Sequence, residues 1–161
     1  MVNGSSEAAE AILDHPNINA ISFVGTTNLA RHVYGRAAAR GKRVQCQGGA
    51  RNSVVILPDA DMEVTAKIAA DSALGCAGQR CLAGSLAITV GEGYRSFTDA
   101  AVAAASSRKV GYGLEEGIEM GPVITAESKQ NIERLIEKGK KEGAKILLDG
   151  RKIQIKGHEK G

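Results

Sequence analysis

Apolar positions along this chain switch between a helical period and short β-branched runs, and the switching predicts its elements in order. Ser5 or Ser6 is placed to cap a short helix ending at Asp14, with acids in the first turn where the helix dipole favours them. His15-Pro16 stops that helix, because the residue before a proline avoids helical backbone. Residues 19–24 read as a buried strand, and residues 28–40 as an amphipathic helix with Leu29, His32, Val33 and Ala37 on its apolar side. Short strands follow over 43–46 and 53–57. Asp59 or Asp61 then heads a long helix through Leu74, whose Ala66, Ile68, Ala69, Ser72 and Ala73 permit close packing. Residues 86–90 form another strand, bounded by Gly91. Helices over about 94–107 and 126–142, a surface loop over 115–123 and a last strand over 145–148 complete the pattern. Strands separated by helices imply an α/β fold with parallel sheets.

Three breaks in this pattern carry candidate chemistry. In Gly75-Cys76-Ala77-Gly78-Gln79-Arg80-Cys81-Leu82-Ala83, an alanine-rich helix runs into glycines and then a cysteine beside a fixed cation. A thiol on flexible backbone can meet a substrate without crowding, and a neighbouring guanidinium favours the nucleophilic thiolate. A lone cysteine in such a stretch is more often a small buried hydrophobe than a catalyst. The second break is Ile21-Ser22-Phe23-Val24-Gly25-Thr26-Thr27, an apolar run ending at glycine and two hydroxyls before a helix. Alone it is an ordinary strand-to-helix turn, without a Gly-x-Gly-x-x-Gly fingerprint. The third is Gln47-Gly48-Gly49-Ala50-Arg51-Asn52, just ahead of Val54-Val55-Ile56-Leu57-Pro58-Asp59-Ala60-Asp61.

Together, in this order and with 34 residues from Gln47 to Cys81, these segments resemble the aldehyde dehydrogenase superfamily over residues 2–161. The pair Arg80-Cys81 and the segment Ile146-Leu147-Leu148-Asp149-Gly150-Arg151-Lys152-Ile153 are most similar to its CoA-acylating branch, whose substrates are methylmalonate and malonate semialdehyde. The resemblance implies NAD-dependent oxidation of such a semialdehyde to an acyl-CoA, through a thioester on Cys81, with CoA as co-substrate. It places Cys81 as nucleophile, with its amide among the donors to the developing oxyanion. Arg80 takes the substrate carboxylate, which a guanidinium fork can hold bidentately. Gly25 and Thr26 take the cofactor turn at the start of a helix. Gln47 stands where hydrolytic relatives have a glutamate base; an amide cannot take a proton from water. That substitution points to transfer onto the more acidic thiol of CoA, or alternatively to loss of function.

The implied fold is an incomplete aldehyde-dehydrogenase-like α/β arrangement. Residues 1–48 are the end of a doubly wound NAD-binding domain, and 49–161 the first part of an α/β catalytic domain. Family members are much longer, with an oxyanion asparagine upstream and a Glu-x-Phe-Gly-Pro segment downstream, so the resemblance implies a central fragment of a homo-oligomeric enzyme. The alternative is a truncated, inactive relative or a module that pairs with full-length subunits through sheet edges. A redox sensor using Cys76 and Cys81 is a weaker option, since no resolving-cysteine spacing is evident.

Composition narrows the picture further. The 161 residues are 43% hydrophobic and 24% charged with a net charge of +3, ordinary for a globular protein. Lysines and arginines are interspersed with acids and aromatics are only 3%, which leaves little for base stacking and argues against nucleic acid. No apolar stretch of membrane length and no secretory signal stands out. Three cysteines at non-metal spacing suit a reducing compartment, and with the scattered His15, His32 and His158 they give no zinc pattern. The expected location is the mitochondrial matrix in a eukaryote, otherwise the cytoplasm.

Overall fold

The computed structural model describes residues 1–158; the last three residues of the expected catalytic piece, 159–161, lie outside the described residues. The chain divides into two compact units, Met1–Ala50 and Arg51–Gly161.

The first unit runs α1 (Ser6–Asp14), β1 (Ala20–Val24), α2 (Thr27–Ala39) and β2 (Arg43–Gln47). The strands pair in parallel, from Ala20 opposite Arg43 to Val24 opposite Gln47, with α2 as the crossover. Alternation decides which face is covered: Ile21, Phe23, Val44 and Cys46 turn inward onto Leu13, Val33 and Ala37. β1 is therefore half-covered rather than buried, with Ser22 and Val24 on its open face. The apolar stripe of α2 also differs from the expected one, being Ala30, Val33 and Ala37. Leu29 is half exposed, and exposed His32 meets Glu10 at 2.7 Å. One residue is about 100° of helix, enough to carry a side chain from the core to the rim. Arg36 clasps Asp14 through Nε at 2.9 Å and Nη2 at 2.6 Å, and Arg40 Nε lies 2.8 Å from the same carboxylate. The Arg36 hydrogen bond, opposed by partial desolvation, holds the Asp14 carboxyl below its usual range.

The second unit contains β3 (Asn52–Ile56), α3 (Met62–Leu74), β4 (Gly84–Thr89), α4 (Gly93–Ser106) and α5 (Ala126–Lys141). β3 and β4 are parallel, and the register jumps from Asn52–Gly84 to Ser53–Leu86, so Ser85 is an extra residue in β4. Asp61 caps α3, accepting from the Glu63 and Val64 amides at 3.1 and 3.2 Å. Ile56, Ala66 and Phe97 form the core, with Val54, Met62 and Ala100 against it. Alanines at 66 and 70 let α3 sit close to its neighbours, whereas Ile68, expected in that packing, is mostly exposed. Thr125 caps α5, its hydroxyl oxygen accepting from the Ser128 amide at 3.1 Å. Residues 115–123 are irregular, tied by Lys109 O accepting from the Glu119 and Met120 amides. Residues 145–148 form no strand. Their apolar side chains suit one, but a strand needs a hydrogen-bonded neighbour, and none lies beside them among the described residues.

Candidate active site

At the C-terminal ends of β1 and β2, the fold brings Gly25, Thr26 and Gln47 together. The Gly25 amide donates to the Gln47 carbonyl at 3.1 Å. A side chain at Gly25 would strike the Phe23 ring, coming within 2.5 Å of it. This glycine is thus required by packing as well as suited to close approach of a ligand, and its N–H is already engaged. The donors left over belong to α2, where Thr26 is the N-cap residue and its side chain makes no capping hydrogen bond. Thr27 is committed elsewhere: its Oγ1 accepts from the Gly49 amide at 3.0 Å. A Cβ on Gly48 would come within 2.9 Å of that oxygen and 3.1 Å of Thr27 Cα. The paired glycines 48 and 49 therefore let the chain leaving β2 run directly over the start of α2. The result is a side-chain-poor cradle whose first-turn amides have no partner among the described residues, which suits a phosphate group. Gln47 is exposed at its edge.

In the second unit, Arg80 and Cys81 follow the end of α3. The chain leaves the helix through a tight turn over Gly75–Gly78, in which Cys76 and Ala77 both have φ of 53° and Gly78 has 68°. Left-handed backbone costs a non-glycine residue roughly 1–2 kcal/mol, and it persists only where the surroundings impose it. Arg80 supplies part of that imposition. Its Nη2 donates to the Asp71 and Ser72 carbonyls, each at 3.2 Å, at the negative end of the helix. The guanidinium passes so close to Gly75 that a Cβ there would lie 2.8 Å from Nη2. Asp71 is held in turn by its carboxylate, which pairs with Arg108.

Cys81 is exposed, and its amide has no hydrogen-bond partner among the described residues. Its carbonyl is fixed. Asn52 Nδ2 donates to Cys81 O at 2.8 Å and to Ala83 O at 2.9 Å. Ser72 Oγ accepts from the Gly84 amide at 3.0 Å. Sequence reasoning missed Asn52 and Ser72; the available signal was a carboxamide opening an otherwise apolar strand and a hydroxyl in the alanine-rich face of α3. A separate groove of about 800 Å³, walled by residues such as Leu74, Val110, Tyr112, Ile132 and Ile136, includes neither Arg80 nor Cys81. Among the described residues, no cluster of three or more His, Cys, Asp or Glu is arranged to hold a metal. No helix there is long and apolar enough to cross a membrane.

Comparison with known proteins matches residues 1–161 to the model of the aldehyde dehydrogenase family. The methylmalonate-semialdehyde/malonate-semialdehyde dehydrogenase [acylating], mitochondrial, of Rattus norvegicus is 44% identical over 161 residues, all of this chain and 30% of the relative. Malonate-semialdehyde dehydrogenase 2 of Geobacillus kaustophilus is 44% identical over 152 residues, 94% of this chain and 31% of its own length. Among solved structures, one from Sinorhizobium meliloti 1021, assigned as a methylmalonate-semialdehyde dehydrogenase and complexed with NAD, superposes with a TM-score of 0.95 at 46% identity. The match covers 99% of this chain and 33% of that one. The chain thus spans about 30% of the length of the curated relatives it matches.

Proposed function

This chain belongs to the aldehyde dehydrogenase family, and we propose that it carries the nucleophile and part of the cofactor cradle of an NAD-dependent, CoA-acylating methylmalonate/malonate-semialdehyde dehydrogenase. The observation that carries the reading is the exposed Cys81 thiol, set on a pinned segment with Arg80 directly before it and its own amide unpartnered among the described residues. The Cys81 thiolate adds to the aldehyde carbon, and the developing oxyanion is met by the Cys81 N–H. A bound NAD would supply the hydride acceptor, and with the hydride gone from that carbon the acyl group is left as a thioester on Cys81. The thiol of CoA then takes the acyl group and frees the cysteine. Gln47 lacks a carboxylate to activate water, which favours CoA as acceptor over hydrolysis.

The donor set of the first unit fits a dinucleotide pyrophosphate: unpaired α2 amides, the uncapping Thr26 hydroxyl, and glycines at 25 and 48 where a side chain would intrude. In this reading Met1–Ala50 is the end of the NAD-binding domain and Arg51–Gly161 the first part of the catalytic domain of a homo-oligomeric enzyme. Its location is the mitochondrial matrix in a eukaryote and the cytoplasm in a bacterium. Arg80 grips the substrate carboxylate, exchanging carbonyl acceptors at the end of α3 for a charged one. The test is product analysis with a full-length enzyme carrying this segment, supplied with malonate semialdehyde, NAD and CoA. NADH and a CoA thioester should form in equal amounts; free acid as the product would overturn the acylating assignment.

A further inference from the structure

We propose that Asn52 is a positioning residue for Cys81: its carboxamide clamps the peptide that follows the nucleophile and so sets where the thiol points. This rests on the reading of Cys81 as nucleophile. Cys81 and the residue after it, Leu82, are both exposed, Leu82 at 82%. Apolar packing therefore does not fix the backbone there, and the first anchored side chain is Ala83, 6% exposed. What fixes it is hydrogen bonding. A carboxamide nitrogen has two donors, and Asn52 Nδ2 donates to two carbonyls, at 2.8 Å to Cys81 and 2.9 Å to Ala83. With the Cys81 carbonyl held, rotation about its Cα–C bond is held, and with it the direction of Cα–Cβ.

The surrounding contacts serve the same segment. Ala83 N–H closes a turn onto Arg80 O at 3.0 Å, and Ser72 Oγ accepts from the Gly84 amide at 3.0 Å. The extra residue in β4 falls at Ser85, where the register jumps between Asn52 and Ser53. A bulge at that point lets the strand begin in one alignment beside Asn52 and continue in another along the core. Residues 81–85 are thus held from both β3 and α3, immediately after a turn that is itself left-handed.

The experiment uses a full-length enzyme carrying this segment, in four forms: unaltered, Asn52→Asp, Ile56→Val and Cys81→Ser. In Asn52→Asp the new carboxylate keeps the shape of the carboxamide but, ionised, cannot donate to either carbonyl. Ile56→Val loosens the same strand in its core without touching residues 81–83. Hydrogen exchange over residues 78–86 reads the clamp, and the pre-steady-state burst of NADH reads thiol alignment. Asn52→Asp should speed exchange in that peptide and slow the burst at least tenfold, with NAD affinity within twofold. Ile56→Val, at a comparable fall in Tm, should leave the burst within twofold. Unchanged exchange in Asn52→Asp, or a burst slowed equally by both variants, would overturn the proposal. Asn52→Ser, which keeps one donor, should fall between, and it serves in place of Asn52→Asp if that variant does not fold. Persisting turnover in Cys81→Ser would overturn the nucleophile assignment instead, separately from the clamp.

Discussion

Replacing Arg80 with leucine separates two roles that the structure gives one side chain. In the resting molecule, Nη2 donates to the Asp71 and Ser72 carbonyls at 3.2 Å each, an exposed contact at a helix C-terminus. Such a contact is worth about 0.3–1 kcal/mol, so Arg80→Leu should cost little fold stability and lower Tm by a few degrees at most. The contact expected in the substrate complex is larger. A hydrogen bond to a charged group contributes about 1.5–3 kcal/mol, so losing the grip on the semialdehyde carboxylate should lower kcat/KM by roughly ten- to 150-fold. Propanal has no carboxylate and should lose threefold or less. The assay is initial-rate NADH formation with each aldehyde under saturating NAD and CoA, alongside thermal melts. Arg80→Lys refines it, because a lysine can still meet helix-end carbonyls but cannot fork onto a carboxylate. It should restore Tm while leaving most of the semialdehyde defect. Equal losses on both aldehydes would exclude the carboxylate grip: Arg80 would then act by holding the turn over Gly75–Gly78, and not by gripping substrate.

Three other outcomes follow from particular contacts. Gln47→Glu should leave the NADH burst within about twofold and shift product from CoA thioester toward free acid, read by chromatography of the two products. Gly48→Ala would press a Cβ to 3.1 Å from Thr27 Cα; overpacking of that kind typically costs about 1–3 kcal/mol, and calorimetry should show both a lower Tm and weaker NAD binding. Asp14 has its carboxyl pulled below the ordinary value by Arg36. Its stabilising effect is therefore complete above the unfolded value, near pH 4, and is lost as pH falls through the lower folded value. Asp14→Asn should flatten that acid limb in a pH series of melts, with little change in slope above about pH 5.

Much of the architecture was legible because it depends on local signals. The proline after His15, the aspartate at 61 and the apolar runs at 21–24 and 53–56 each mark an element by chemistry confined to a few residues. Three features were hidden for different reasons. The stripe of α2 is shifted because periodicity fixes the spacing of a face but not its phase against a sheet, and Ala30 carries no signal that outranks Leu29. Residues 145–148 have strand-forming side chains, but a ladder needs a partner that local sequence cannot supply. The left-handed backbone at Cys76 and Ala77 lies at non-glycine positions, where no residue type announces it. At the candidate site, the glycines and the cysteine stood out as breaks in pattern. Asn52 did not, because its contact with the 81–83 peptide exists only once β3 has paired with β4.

Cys81 is the proposed acyl carrier, and trapping the acyl-enzyme shows directly where the acyl group resides. A full-length enzyme carrying this segment, given malonate semialdehyde and NAD without CoA, should accumulate one thioester-linked acyl group per chain. Acid quenching and peptide mass mapping should place it on the peptide containing Cys81, and subsequent addition of CoA before the quench should discharge it. An adduct on Cys46 or Cys76, or NADH formation with no adduct on any cysteine, would exclude Cys81 as the acyl carrier.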